Sequence, residues 1–289
     1  MTHRERQLQS AMEYLMTYGW AILIIAVVLG ALFQLGIFNA STFTPKAPPG
    51  SCHVFRPNGP MTSSFINLQG ICNGELPQYV AKFNGAAYIS ASDSQFPSGS
   101  SARTISMWIN TKASGSLFWH GTGNCIAHDF FIIINANGHL QFESGCDDTG
   151  PYSSTPSLTD GSWHQLIIDY SQSATTLEGC VDSTCQTLSL GGAVALATNL
   201  GGTTTIGKDI YAYFTGDIAN VQVYNTSLSS NEISALYTEG IGGAPVKLNS
   251  LVAWWPLNGD TKDYSGNNNN GAASGVSFTS NWESGYSAP

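Results

Sequence analysis

GKDIYAYFTGDIANVQVYNTSLSSNEISALYTEG, residues 207–240, is the stretch that decides the fold. Within it GDIANVQVYN (216–225) reads as a strand, and TTTIG (203–207) just upstream reads as another. Helical periodicity appears only afterwards, in LSSNEISALYTEGIGG (228–243). Ser229 suits an N-cap and Glu232 falls at the third helical position, which together make a capping box. Leu228 and Ile233 sit at the two staple positions. Ile233, Leu236 and Tyr237 form a short apolar stripe, and Gly240 can stop the helix.

Upstream, the same strand-and-turn texture continues. YVAKFNGAAYISASD (79–93) has strand composition around an Asn84-Gly85 turn signal. RTISMWINT (103–111) alternates Ile105, Met107 and Ile109 on one face with Trp108 on the other. SLFWH, FFIII, HLQFE and SWHQLIIDY follow, separated by Gly, Ser, Asn or Pro. A run of short strands closed by one two-turn helix predicts an all-β chain, an antiparallel sandwich or barrel. Composition agrees. Charged residues make up 10% of the 289, glycines number 31 and aromatics reach 11%, against about 25% charged in an average soluble domain. A hydrophobic content of 42% is enough for a core, so a disordered acidic chain is excluded. Ten cations against nineteen acids, with no basic stripe, exclude nucleic acid as a partner.

KFNGAAYISASD (82–93), RTISMWINT (103–111), DGSWHQLIIDY (160–170) and the 207–240 stretch together resemble the LamG-like, concanavalin A-type jelly roll. The resemblance covers 79–240. It implies two packed antiparallel sheets and the binding of carbohydrate or protein. LVAWWPLNGDTKDYSGNNNNG (251–271) resembles the opening segment of the same family, yet stands near the end of the chain. The expectation is that 251–289 supply closing strands of the one sandwich in a permuted order, with Pro256 confining LVAWWPL to an edge or strand end.

The family also implies calcium near this segment and near its closing strand, where Phe214, Gly216 and Ile218 match. The loop DTKDYSGNNNNG offers Asp260, Asp263 and Asn267, and Asp217 is adjacent to the closing motif, so these four are the candidate ligands. The family's acidic pair after the isoleucine is replaced by Ala219 and Asn220. Glycoside hydrolases on such folds need two carboxylates flanking the bond. The eight glutamates here are spread singly, and no catalytic residue is assigned. Binding without cleavage is the expectation, and a carbohydrate-active enzyme the alternative. The tryptophans are expected mostly in the core, with a few at a loop rim to stack on sugars. A net charge of −9 disfavours anionic glycans.

The N-terminal part differs in kind. Arg4, Glu5, Arg6 and Glu13 are the only formal charges of the first 38 residues and cancel, and none occurs from Tyr14 to Phe38. At about 1.5 Å per residue that apolar run crosses a bilayer core as a helix. Residues 1–13 are then a cytoplasmic leader, 14–38 a transmembrane helix, 39–51 a Pro-rich stalk and 52–289 an extracellular sandwich held at the cell membrane. QSAMEYL (9–15) resembles the class III, type IV pilin-like signal of archaeal surface proteins. That resemblance implies cleavage between Leu8 and Gln9, with Glu13 pairing a neighbouring subunit's new amine, and self-assembly through the helix into a filament. Glycine is the usual residue before the cut, and Leu8 departs from it.

Six cysteines suit the exported side. Asp182-Ser183 forms a two-residue turn that places Cys180 opposite Cys185 within disulfide reach. Cys125 and Cys146 flank a second hairpin, which leaves Cys52 and Cys72. Asn39 and Asn225 head acceptor sequons for N-glycosylation.

Overall fold

The computed structural model describes residues 18, 20–29, 53–55, 67–69, 76–123, 128–144, 157–190, 194–287 and 289. The chain divides into two compact units, Met1–Lys46 and Ala47–Pro289. In the first, residues 18 and 20–29 are helical and exposed. Among the described residues no helix is long and apolar enough to cross a membrane. The rest of the 14–38 stretch lies outside the described residues, as do Leu8, Gln9, Glu13 and Asn39.

The second unit is the expected all-β sandwich. Its larger sheet runs in the order β11 (Thr184–Ser189), β10 (Thr176–Val181), β9 (Trp163–Tyr170), β5 (Arg103–Asn110), β13 (Thr215–Tyr224), β3 (Val80–Asn84) and β16 (Ser277–Thr279), with β14 (Leu251–Trp255) also on β13. The smaller sheet runs β15 (Ala272–Ser274), β4 (Tyr88–Ala91), β12 (Thr204–Ile206), β6 (Gly115–His120), β7 (Phe130–Ile134) and β8 (Leu140–Glu143). A separate ribbon pairs β1 (His53–Phe55) with β2 (Asn67–Gln69). Every described pairing is antiparallel. Phe83, Ile89, Met107, Phe118, Ile132, Phe142, Ile168, Ile206, Ile218 and Trp255 fill the space between the two sheets. Burying each such side chain is worth about 1.5–3 kcal/mol.

The Asn84-Gly85 signal marks a turn, but one that joins the two sheets. β3 belongs to the larger sheet and β4 to the smaller. Gly85 sits at φ +84° and its N–H donates to the Phe214 carbonyl at 3.0 Å, which fixes the arch. β13 is the hub. One side pairs with β5; the other is shared end to end, Thr215–Ile218 against β3 and Val221–Tyr224 against β14. Asn220, at φ +51°, marks the irregularity between the two halves. The displaced C-terminal segment is thus built into both sheets: β14 and β16 pair with β13 and β3, and β15 pairs with β4. Pro256 follows the last residue of β14, where its missing N–H costs no ladder bond.

The larger sheet is covered on its outer face too, which is why β9 is buried at every position. The helix Ser230–Thr238 lies there, capped as expected. The Ser229 side chain accepts from the Glu232 N–H, and the Glu232 carboxylate accepts from the Ser229 N–H. Gly240, at φ +76°, follows the C-cap. Leu228, Ile233 and Leu236 pack with Ile167, Cys180, Leu251 and Trp254. Tyr237 stacks on Trp108 at 5.9 Å. The β10–β11 hairpin also has the register read from its turn: Val181 faces Thr184, Cys180 faces Cys185, and the two cysteines are bonded with Cα atoms 4.0 Å apart. Asp182 and Ser183 both have positive φ, the type I′ signature. Cys52, Cys72, Cys125 and Cys146 lie outside the described residues.

Candidate functional site

The smaller sheet turns a less covered face outward. In β4, Ile89 and Ala91 enter the core, so Tyr88 and Ser90 face out. In β12, Ile206 enters the core and Thr205 faces out beside Ser90 and Trp119, its registered neighbours on β4 and β6. This gives a continuous row, Ser90–Thr205–Trp119, across three strands. The loop between β12 and β13 leaves the middle strand of this row, just beyond Thr205. Gly207 begins the loop at φ +80°, where a Cβ would stand 2.3 Å from the Phe83 ring, so no larger residue fits. The Asp209 carboxylate then accepts from the N–H groups of Tyr211 and Ala212 at 2.5 and 2.6 Å. That clamp holds Lys208 against Tyr213 and leaves Tyr211 at the tip, 81% exposed.

Together these elements form a groove of about 450 Å³. Tyr88, Ser90, Trp119 and Thr205 supply its sheet side, Lys208 and Asp209 its loop side. The Lys208 ammonium lies 4.6 Å from the Tyr88 ring centre and 5.2 Å from that of Tyr213. The two rings are 6.4 Å apart. Ring faces beside hydroxyls and one cation are the groups that stack on the C–H face of a sugar and bond its edge. Of the tryptophans expected mostly in the core, Trp119 is half-buried and lines the groove. Trp108, Trp163, Trp254, Trp255 and Trp282 are core residues. The outward alternation of Tyr88 and Ser90 was the available signal for the rest.

The four candidate calcium ligands do not come together. Asp217 lies on the part of β13 that pairs with β3, opposite Lys82 and Asn110, away from β14 and its loop. Burial raises its pKa, and Lys82 acts against that rise. Asp263 is fully buried, and donors fill its carboxylate. Oδ1 accepts the N–H groups of Trp254 and Ser265 at 2.9 and 2.8 Å, and Oδ2 accepts the Asn269 N–H and Ser265 O–H at 2.8 and 2.9 Å. Asn267 donates its amide to the Leu251 and Val252 carbonyls, both at 2.9 Å. Asp260 accepts from the Tyr264 hydroxyl at 3.1 Å. A cation at Asp263 would meet hydrogens where it needs lone pairs, so these residues do not fit calcium. Among the described residues no three His, Cys, Asp or Glu side chains form a metal set. Asn220, in the place of the family's acid, accepts from Trp254 Nε1 at 2.8 Å and donates to the Gly243 carbonyl at 2.8 Å. Asn225 is exposed at the end of β13.

A second polar cluster is structural in geometry. His164 Nδ1 meets Asp182 at 2.6 Å and its Nε2 meets Asp160 at 3.4 Å. Burial disfavours the charged ring, but the Asp182 hydrogen bond and the two carboxylates outweigh it, and the His164 pKa is raised. The Gln165 N–H also donates to Asp182 at 2.9 Å, so the cluster ties β9 to the turn of the disulfide hairpin.

Comparison with known proteins bears on the fold. The family model described as the concanavalin A-like lectin/glucanases superfamily matches residues 83–234, more than half of the chain. The chain belongs to this superfamily. Among solved structures this lectin/glucanase-type sandwich is similar to a candidate carbohydrate binding protein from Bacteroides ovatus, with TM-score 0.52 and 18% identity over 71% of this chain and 60% of that one. The chain thus spans 60% of the length of the Bacteroides ovatus protein. It is also similar to a heptameric SAP-like pentraxin from Limulus polyphemus (TM-score 0.48, 13% identity, 70% and 94% covered). A sialidase CBM40 from Ruminococcus gnavus shows TM-score 0.41 and 16% identity, with 56% and 97% covered. At these identities the likeness concerns the fold. Curated proteins gave no match. The LamG-like, concanavalin A-type resemblance read from 79–240 is therefore correct at the level of the family.

Proposed function

We propose that this chain is a glycan-binding surface protein whose binding site is the groove on the smaller sheet. The observation that carries the proposal is the Trp119 and Tyr88 rings beside Ser90 and Thr205 in a groove of about 450 Å³, with Tyr213 next to Tyr88. The reaction type follows from what lines it. Hydrolysis of a glycosidic bond uses two carboxylic groups across the bond. Among the described residues Asp209 is the groove's one carboxylate, and its Oδ1 is held by two loop amides. Binding without cleavage is the chemistry this supports. The superfamily and the Bacteroides ovatus likeness support a sugar as ligand.

The anchoring half of the proposal rests on sequence: the uncharged run 14–38 holds the chain in the cell membrane, and residues from the stalk onward face outside. A single shallow sugar site is weak, so many copies on one surface would give adhesion its strength. Retention of the purified chain on immobilised polysaccharides tests the binding half, with release of reducing ends assayed in parallel. Retention that Trp119→Ala abolishes, with no release, is expected. Steady release would make the chain an enzyme, and no retention on any glycan would refute the groove's assignment. N-terminal sequencing of the native protein addresses the anchor. A start at Met1 supports a plain anchor, and a start at Gln9 supports the pilin-like filament subunit instead.

A further inference from the structure

We infer that the groove selects glycans that carry a carboxylate and that Lys208 is the group that meets it, an inference that rests on the glycan-binding reading of the same groove. Lys208 is half-buried, with its ammonium over two aromatic rings. Lys247 and Lys262 each lie near an acid, at 3.2 and 3.8 Å from Glu232 and Asp260. Among the described residues no carboxylate lies within ion-pair distance of Lys208. Ring faces satisfy the charge from the sides but accept none of the three N–H bonds in full. A half-buried ammonium of this kind, inside a groove and short of acceptors, is complementary to an anion brought by the ligand.

The shape of the groove narrows the anion. A sugar acid has an apolar C–H face and a carboxylate at its rim. Trp119 can take the face while Lys208, in the loop that follows β12 and over the Tyr88 ring, takes the rim. The overall charge of −9 points the other way. Its effect is long-range, however, and salt screens charges beyond about 8–10 Å. Within the groove the described balance is one lysine against one aspartate, and the aspartate's Oδ1 is turned into its own loop.

The test titrates the full chain with trigalacturonate, triglucuronate and sialyllactose, each beside its methyl ester, which removes the charge and keeps the ring. At least one acid should bind about tenfold more tightly than its ester, the scale of one charge-assisted hydrogen bond. Lys208→Met should erase that difference by weakening each acid more than its ester, and Lys208→Arg should keep most of it. Circular dichroism of both variants confirms that they fold. Equal binding of every acid and ester, both lost in Trp119→Ala, would overturn the role of Lys208 and leave the glycan groove standing. A preference for acid that survives Lys208→Met would overturn it as well. Binding of none of the six probes, with neutral polysaccharides still retained, overturns the carboxylate alone; failure of both overturns the groove.

Discussion

Replacing Asp263 by alanine tests how the loop after β14 is held. The carboxylate is fully buried and takes four donors: the N–H groups of Trp254, Ser265 and Asn269 and the Ser265 hydroxyl. The hydroxyl keeps a partner in the Val252 carbonyl at 3.1 Å. The three N–H groups lose theirs. Each orphaned buried donor costs about 1–3 kcal/mol, so the loss should be about 3–6 kcal/mol once some water enters the gap. That is a large share of the 5–15 kcal/mol, roughly, that separates a folded domain from its unfolded chain. Asp263→Asn keeps one acceptor oxygen and should lose about half as much. Urea unfolding followed by tryptophan fluorescence measures both, with and without millimolar calcium. The wild-type midpoint should not move with calcium. A loss below about 1 kcal/mol in Asp263→Ala would refute the accounting. So would a calcium-dependent rise in the wild type that the variant lacks, because the carboxylate would then be a cation ligand.

Three further outcomes are expected. Cys180→Ser with Cys185→Ser should lower stability by about 2 kcal/mol, the entropy of so short a closed loop, measured by the same unfolding experiment; more than twice that would mean the disulfide does more than close the hairpin. The raised His164 pKa means that the imidazolium pairs with Asp182 and Asp160 in the folded state. That stabilisation is complete below the unfolded value of about 6.5 and is lost as pH rises through the higher folded value, so thermal midpoints of the wild type should fall relative to His164→Gln between pH 5.5 and 8; parallel curves would sink the assignment. Ser229→Ala removes one arm of the capping box and should cost about 1 kcal/mol, with midpoint and m-value compared in urea.

What could be read from the sequence was local. The Cys180–Cys185 register followed from two turn residues, and the capping box from Ser229 and Glu232 three positions apart. The strands of 103–111 and 163–170 announced themselves by composition. What could not be read depended on distant partners. Asn84-Gly85 looks the same whether the next strand pairs with the last or crosses to the other sheet; the Phe214 carbonyl, far along the chain, decides it. The groove draws Tyr88, Trp119, Thr205 and Lys208 from separate elements, and no spacing links them. Asp263 and its asparagines have a composition that serves calcium or backbone N–H groups equally well. Only the arrangement of β14 against the loop shows which.

Strands β14, β15 and β16 carry a kinetic consequence. Ser277 pairs with Lys82 and Ala272 with Ser90, so the partners of β3 and β4 are made long after those strands. Contacts so far apart in the chain close slowly, because most of the chain must be ordered before they form. During synthesis β3 and β4 would wait with unpaired edges, and the Trp255 side of the core would stay open until residues 251–279 arrive. Unpaired strand edges are where chains aggregate. For such a topology, the window between emergence of 207–240 and arrival of the closing strands is when a chaperone would matter most.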